Sequence, residues 1–175
     1  MKSAAGATIQ EARVRSRASR AILPYPLPMP DPLDRALQGV ETARIGGEDA
    51  ARAILEAACF VTAVDGVVDE AEGDVVRTIA KRLGVDAAWV ENRRQVILRA
   101  AAEGAAERAK EIGEQLAARG VGQEGVIAAA VAALASGGMS AGETGALRAI
   151  AKGAGIAGEY VAGVVERASA ALKRG

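Results

Sequence analysis

Five carboxylates fall within ten residues of this chain: Asp65, Asp69, Glu70, Glu72 and Asp74. All are hard oxygen donors, the ligand type that calcium, magnesium and manganese take. Softer metals find little here, because the chain has no histidine and a single cysteine, Cys59. The same composition excludes zinc enzymes, Ser-His-Asp hydrolases and any intramolecular disulfide. No activated nucleophile and no phosphate-cradling glycine loop is present, and the glycines fall singly where helices should end. A carboxylate pair with split pKa values, such as Asp65 with Glu72, is the one hydrolytic device these residues permit, so the expectation is a binding protein and not an enzyme.

The acidic segment has a counterpart 71 residues later. Ala-Val-Asp-Gly-Val-Val-Asp-Glu-Ala-Glu, from Ala63 to Glu72, aligns with Leu-Ala-Ser-Gly-Gly-Met-Ser-Ala-Gly-Glu, from Leu134 to Glu143. The same offset pairs Gly66 with Gly137, Val68 with Met139, Asp69 with Ser140, Val76 with Leu147, Ile79 with Ile150 and Gly84 with Gly155, without a gap. A register held through a turn and a helix indicates two copies of one supersecondary unit packed together. Any chemistry is then expected where the copies meet.

Two readings of the repeated segment stay open. In the structural one, Asp69 with Glu72 and Ser140 with Glu143 are capping boxes, each worth on the order of 1 kcal/mol, and Gly66 and Gly137 supply positive φ where the preceding helix stops. Asp65 fits this reading least well, since it puts an anion at the C-terminal end of a helix, where the macrodipole is already negative. In the second reading Asp65 is there for a cation. The segment is not an EF-hand, for it lacks alternating acidic residues at the first three ligand positions and the glycine at the sixth.

The elements that must position these residues read as helices throughout. Asp31 is a candidate N-cap with Pro32 in the first helical position, and that helix is expected to run to about Arg44, ended by Gly46-Gly47. A second spans about Asp49 to Val64, with Ile54, Leu55, Ala58 and Val61 at helical spacing. A third opens at Asp69 and ends at Gly84, a fourth is capped by Asp86, and a fifth is centred on Ile112 and Leu116 and runs to Gly120. Helices near 123–135, 141–153 and 157–173 then repeat the order, with Tyr160 matching Trp89. No alternation of β-branched residues supports a strand. Cys59, in the run Ala57-Ala58-Cys59-Phe60-Val61, reads as a small buried hydrophobe.

Residues 1–30 differ from the body. Lys2, Arg13, Arg15, Arg17 and Arg20 stand against Glu11 alone, giving a charge of +4 that the remainder balances with −4. All five prolines lie between Pro24 and Pro32 at every second position, which favours an extended strap. This basic, proline-rich arm is expected to be flexible or to contact an acidic partner or an anionic membrane surface. With zero net charge overall, nothing draws the protein to nucleic acid. There is no apolar run long enough to span a bilayer and no secretory leader, so the expected location is the cytoplasm. The small-residue composition also allows a homo-oligomer.

The pattern Ala-x-Asp-Gly-x-Val-x-x-x-Glu-x-x-x-Val-x-x-Ile-Ala-x-x-Leu-Gly-Val from Ala63 to Val85, followed by its partner from Ala135 to Ile156, resembles the tellurite-resistance TerB-like family. The resemblance covers about 31–173. It implies an all-α, TerB-like bundle of seven or eight helices built from two pseudo-repeated halves, about 31–103 and 104–173. It further implies a non-enzymatic bacterial module of the tellurite or metal stress response, working with protein partners, in places near the inner face of the membrane. The site it implies holds a divalent cation, with Asp65 and Glu72 as ligands in the first half, Glu143 in the second, and Asp69 and Glu70 available to compensate. Ser136 stands where the second aspartate of that pattern is expected, which removes one carboxylate from the pair. The alternative is a metal-independent helical interaction domain that uses the basic arm.

Overall fold

A computed structural model describes residues 30–40, 46–100 and 104–173 of the chain. The described residues form eight helices and no strand: α1 Pro32–Ala36, α2 Glu48–Ala63, α3 Glu70–Leu83, α4 Ala87–Ala100, α5 Ala105–Ala118, α6 Gly122–Ala133, α7 Ala141–Gly153 and α8 Gly158–Leu172. The basic arm and nearly all of the proline strap lie outside the described residues.

Two helices buried along nearly their whole length form the centre. From Ala50 to Ala63 every residue of α2 except Arg52 is buried, and so is all of α6 from Gly125 to Ala133. Long apolar runs such as those of α6 and the second half of α2 must be enclosed, so α2 and α6 pack on one another and the other helices surround them. The core is a single cluster in which Phe60, Ile54, Leu55, Ile79, Ile112, Leu116, Leu147 and Ile150 are the large residues. Each such side chain stabilises the fold by about 1.5–3 kcal/mol relative to exposure. Around it, α3 and α4 cover α2, α7 and α8 cover α6, α1 lies on α8, and α5 runs along α7.

Local chemistry sets the helix ends. Asp69 Oδ1 accepts from the Ala71 N–H at 2.8 Å to start α3, Asp86 Oδ1 accepts from the Ala88 N–H at 2.6 Å to start α4, and Gly84 closes α3 in the left-handed region. Asp31 caps α1 by accepting from the Leu33 N–H at 2.8 Å. That helix, however, stops at Ala36 and does not continue toward Arg44. The chain turns through Leu37 to Gly39, where it meets α6 so closely that a Cβ on Gly39 would lie 2.2 Å from Ile127 Cδ1. Contact with the core there outweighs helix continuation and buries Leu37 and Val40. Residues 41–45 lie outside the described residues.

Cys59 is wholly buried, and burial pushes its thiol up to about 12, against the pull of Arg94 and Arg93. Since the thiolate is the nucleophile, the native protein should resist alkylation by iodoacetamide at pH 8 and react only when unfolded. Labelling of native protein as fast as unfolded protein, followed by mass spectrometry, would contradict this. No helix among the described residues is long and apolar enough to cross a membrane.

Candidate functional site

The helices α2 and α6 each end in a turn built on a glycine of positive φ, Gly66 at 80° and Gly137 at 99°. Each turn feeds the start of the next helix, where a capping box closes. The Asp69 N–H donates to Glu72 Oε2 at 3.3 Å, and the Ser140 N–H donates to Glu143 Oε2 at 2.6 Å, while the Glu143 N–H donates to Ser140 Oγ at 3.1 Å. Both glutamates lie beneath the surface, 5% and 4% exposed.

The two turns also reach across to each other. Gly142, in the first turn of α7, is so close to the acidic turn that a Cβ on it would lie 3.5 Å from Val64 Cγ1 and 3.9 Å from Asp65 Cβ. Asp65 therefore sits at the N-terminal end of α7, whose unpaired N–H groups and positive dipole end favour a carboxylate. The Asp65 side chain also closes its own turn, with Oδ1 accepting from the Val67 N–H at 3.3 Å. Across the junction, Ser136 stands by Glu72.

Burial lifts the Glu72 carboxyl above its ordinary value of 4.5. The Ser136 hydroxyl and the Asp69 N–H oppose the rise, and the Glu143 and Asp69 carboxylates add to it. Thus the sequence-predicted residues Asp69 and Glu143 are both brought within electrostatic reach of Glu72, and Asp65 lies against Gly142, the residue before Glu143. Among the described residues no three acidic, histidine or cysteine side chains form a group spaced to hold a metal ion. Glu70 and Asp74 point elsewhere: Glu70 is exposed, and Asp74 pairs with Arg77 one turn along α3.

A third buried carboxylate was missed by the repeat. Glu56, 8% exposed in the middle of α2, accepts from Arg93 of α4 and, at 2.7 Å, from Arg108 of α5. Burial works against the charge on Arg108, and the Glu111 and Glu56 carboxylates more than overcome it, leaving its pKa raised. The one sequence signal was a lone charge inside the apolar run Ile54-Leu55-Glu56-Ala57-Ala58; its partners lie 37 and 52 residues away.

Comparison with protein-family models, with curated proteins and with solved structures finds no match for the chain.

Proposed function

We propose that this chain is a non-enzymatic, TerB-like module that takes up a divalent cation, calcium, magnesium or manganese, between its two acidic turns and passes its occupancy to a protein partner in a metal or tellurite stress response. The observation that carries this reading is a charge imbalance. Of the three buried glutamates, Glu56 has two arginines, whereas among the described residues neither Glu72 nor Glu143 has a cationic partner. Buried charges in proteins are paired or coordinate metals, and a hard cation taken up beside Glu72 and Glu143 would supply the missing charge, provided that it draws Asp65 and Asp69 in from positions that, among the described residues, form no group spaced for a metal ion. Further support comes from the helix starts: α3 and α7 begin 71 residues apart, as do α4 and α8, in keeping with two halves, about 31–103 and 104–173, that meet at these turns. Occupancy has a built-in outlet. Recruiting Asp65 as a ligand competes with its bond to the Val67 N–H, and Val67, 71% exposed, is the apolar side chain that this turn presents to a partner.

A metal-independent interaction domain is the second reading, favoured by the completeness of both capping boxes without any cation. In that case function moves to the basic arm and an acidic partner or anionic membrane.

Thermal melts of the full chain in EDTA and then in millimolar calcium, magnesium or manganese separate the two. A site of about 10 μM affinity at hundredfold excess adds about 2.7 kcal/mol, a rise of several degrees in Tm. Asp65→Asn and Glu72→Gln should both abolish that rise. Glutamine at the third position still closes a capping box, so Glu72→Gln removes the charge and keeps the cap.

The pH dependence of the cation-free protein follows from the raised Glu72 pKa. A carboxyl that holds its proton more tightly when folded contributes most stability below 4.5 and loses it as pH rises from there through the folded pKa. In EDTA, wild type should therefore lose stability relative to Glu72→Gln as pH rises from 4 to 7. A parallel pair of stability curves would remove the buried-charge argument, and a cation response unchanged in both variants would remove the proposed ligands.

A further inference from the structure

In the first repeat the surface between α3 and α4 is closed by charge. The guanidiniums of Arg77 and Arg94 lie over Gly73, 3.5 and 3.7 Å from where its Cβ would be. Arg77 pairs with Asp74, and Arg94 pairs with Glu91 at 3.3 Å. At the matching positions of the second repeat Arg148 stands for Arg77, but Val165 stands for Arg94, Ala162 for Glu91 and Gly145 for Asp74. Three of the four charged groups are thus cut back. What remains between α7 and α8 is a trough of about 580 Å³ floored by Leu147 and Val161, with Leu134, Met139 and Val165 along its sides. That is far more room than one side chain fills, and on the scale of a binding cleft.

The trough has one cation and one anion on its rim. Arg148 of α7 and Glu166 of α8 both line it, both are exposed, and among the described residues neither forms an ion pair. An anionic amphiphile entering here would meet Glu166, and a cationic one would meet Arg148. A face with an apolar floor between one positive and one negative group is complementary to itself, which is the requirement of a two-fold interface in which residue i meets j and j meets i.

We propose that the α7–α8 trough seats a second copy of this chain, in a two-fold dimer where Arg148 of each protomer pairs with Glu166 of the partner subunit. The α8 wall of the trough carries Gly158, Ala162, Val165 and Ser169 at helical spacing, all small enough for a facing helix of the partner subunit to approach closely. Arg148, whose carboxylate in the first repeat's pattern is cut back to Gly145, then finds one on the other protomer, and the first repeat, filled by its own Arg77 and Arg94, stays free of such a contact. This inference goes beyond the cation reading and stands without it, since neither Arg148 nor Glu166 is one of the proposed cation ligands.

Sedimentation equilibrium of the full chain from 1 to 200 μM, in EDTA, tests it. The expected species has twice the 17.7 kDa mass of the chain. Arg148→Glu alone and Glu166→Arg alone should each weaken dimerisation at least tenfold, because each leaves two like-charge encounters in place of two ion pairs. The double variant Arg148→Glu with Glu166→Arg restores reciprocal pairing and should restore the dimer. Val165→Arg, which installs the residue of the first repeat, should fill the trough and give a monomer with an unchanged helical circular dichroism spectrum. A wild-type monomer across the whole range overturns the proposal. So does a dimer indifferent to the single substitutions, a double variant that stays monomeric, or a small molecule found in the trough of monomeric protein by native mass spectrometry.

Discussion

Replacing Gly113 by alanine should lower the melting temperature by about 6 °C, although alanine is the better helix former. The reason is the seam between α5 and α7, where two glycines let backbone meet backbone. A Cβ on Gly113 would stand 2.1 Å from the Ile150 carbonyl oxygen, 2.8 Å from the Ala154 nitrogen and 2.9 Å from Gly153 Cα. A Cβ on Gly153 would stand 2.2 Å from the Lys110 carbonyl oxygen. Flexible side chains move aside at small cost, but here the obstructing atoms are the backbones of two helices, so the helices themselves must separate. Overpacking of this kind costs about 1–3 kcal/mol, occasionally more, and a backbone obstruction belongs at the upper end. Intrinsic helix propensity returns about 1 kcal/mol in the other direction. About 3 kcal/mol of overpacking less about 1 kcal/mol of propensity leaves a net loss of about 2 kcal/mol, which at about 3 °C per kcal/mol gives the expected shift for a chain of this size. Gly145→Ala is the control: it lies inside α7 with nothing within 4 Å of the added methyl, and should stabilise by about 0.5–1 kcal/mol. A Gly113→Ala protein melting within 2 °C of wild type would show that the seam is not close-packed.

Removing the arginines around Glu56 is the second large effect. Arg93 and Arg108 tie α4 and α5 to the centre of α2 through one carboxylate, and stripping both leaves that carboxylate buried with no cation. Breaking a buried ion pair from one side costs about 3–5 kcal/mol, whereas replacing the whole arrangement by apolar residues is often neutral. Because the two guanidiniums are about one-third exposed, at 29% and 34%, the expectation for Arg93→Ala with Arg108→Ala is discounted to about 3 kcal/mol. Adding Glu56→Leu to that double variant should recover most of the loss by removing the stranded charge. Chemical denaturation of the three proteins checks the order: wild type most stable, the triple variant close behind, the double variant well below. A triple variant no more stable than the double one would mean that the arginines act through packing of their stems against α2 and not through charge.

The sequence carried the helices because helix ends are decided within a turn or two. Asp31, Asp69, Asp86 and Ser140 each find their backbone partner two or three residues away, and Gly84 needs only its own positive φ, so spacing alone was sufficient for those ends. The all-α class, a count of seven or eight helices, both capping boxes and the burial of Cys59 followed from such local signals and from the apolar runs of α2 and α6, and the described residues form eight. The end of α1 did not, since the turn at Gly39 answers to Ile127 on a helix almost ninety residues further along.

The site divided in the same way. That Glu72 and Glu143 would cap their helices was written in the spacing; that they would be buried near one another, with no cation assigned to either, depended on how α3 and α7 pack against the central pair. Asp65 looked misplaced because only its own helix was visible in the sequence, and tertiary structure set it against the N-terminus of α7. Glu56, Gly113 and the α7–α8 trough were likewise settled only by packing. Sequence spacing fixes which groups share one turn of one helix, but the energy of a buried charge, a backbone contact or an open trough depends on distances between helices. Those distances are set jointly by every side chain in the interface, and no single segment specifies them.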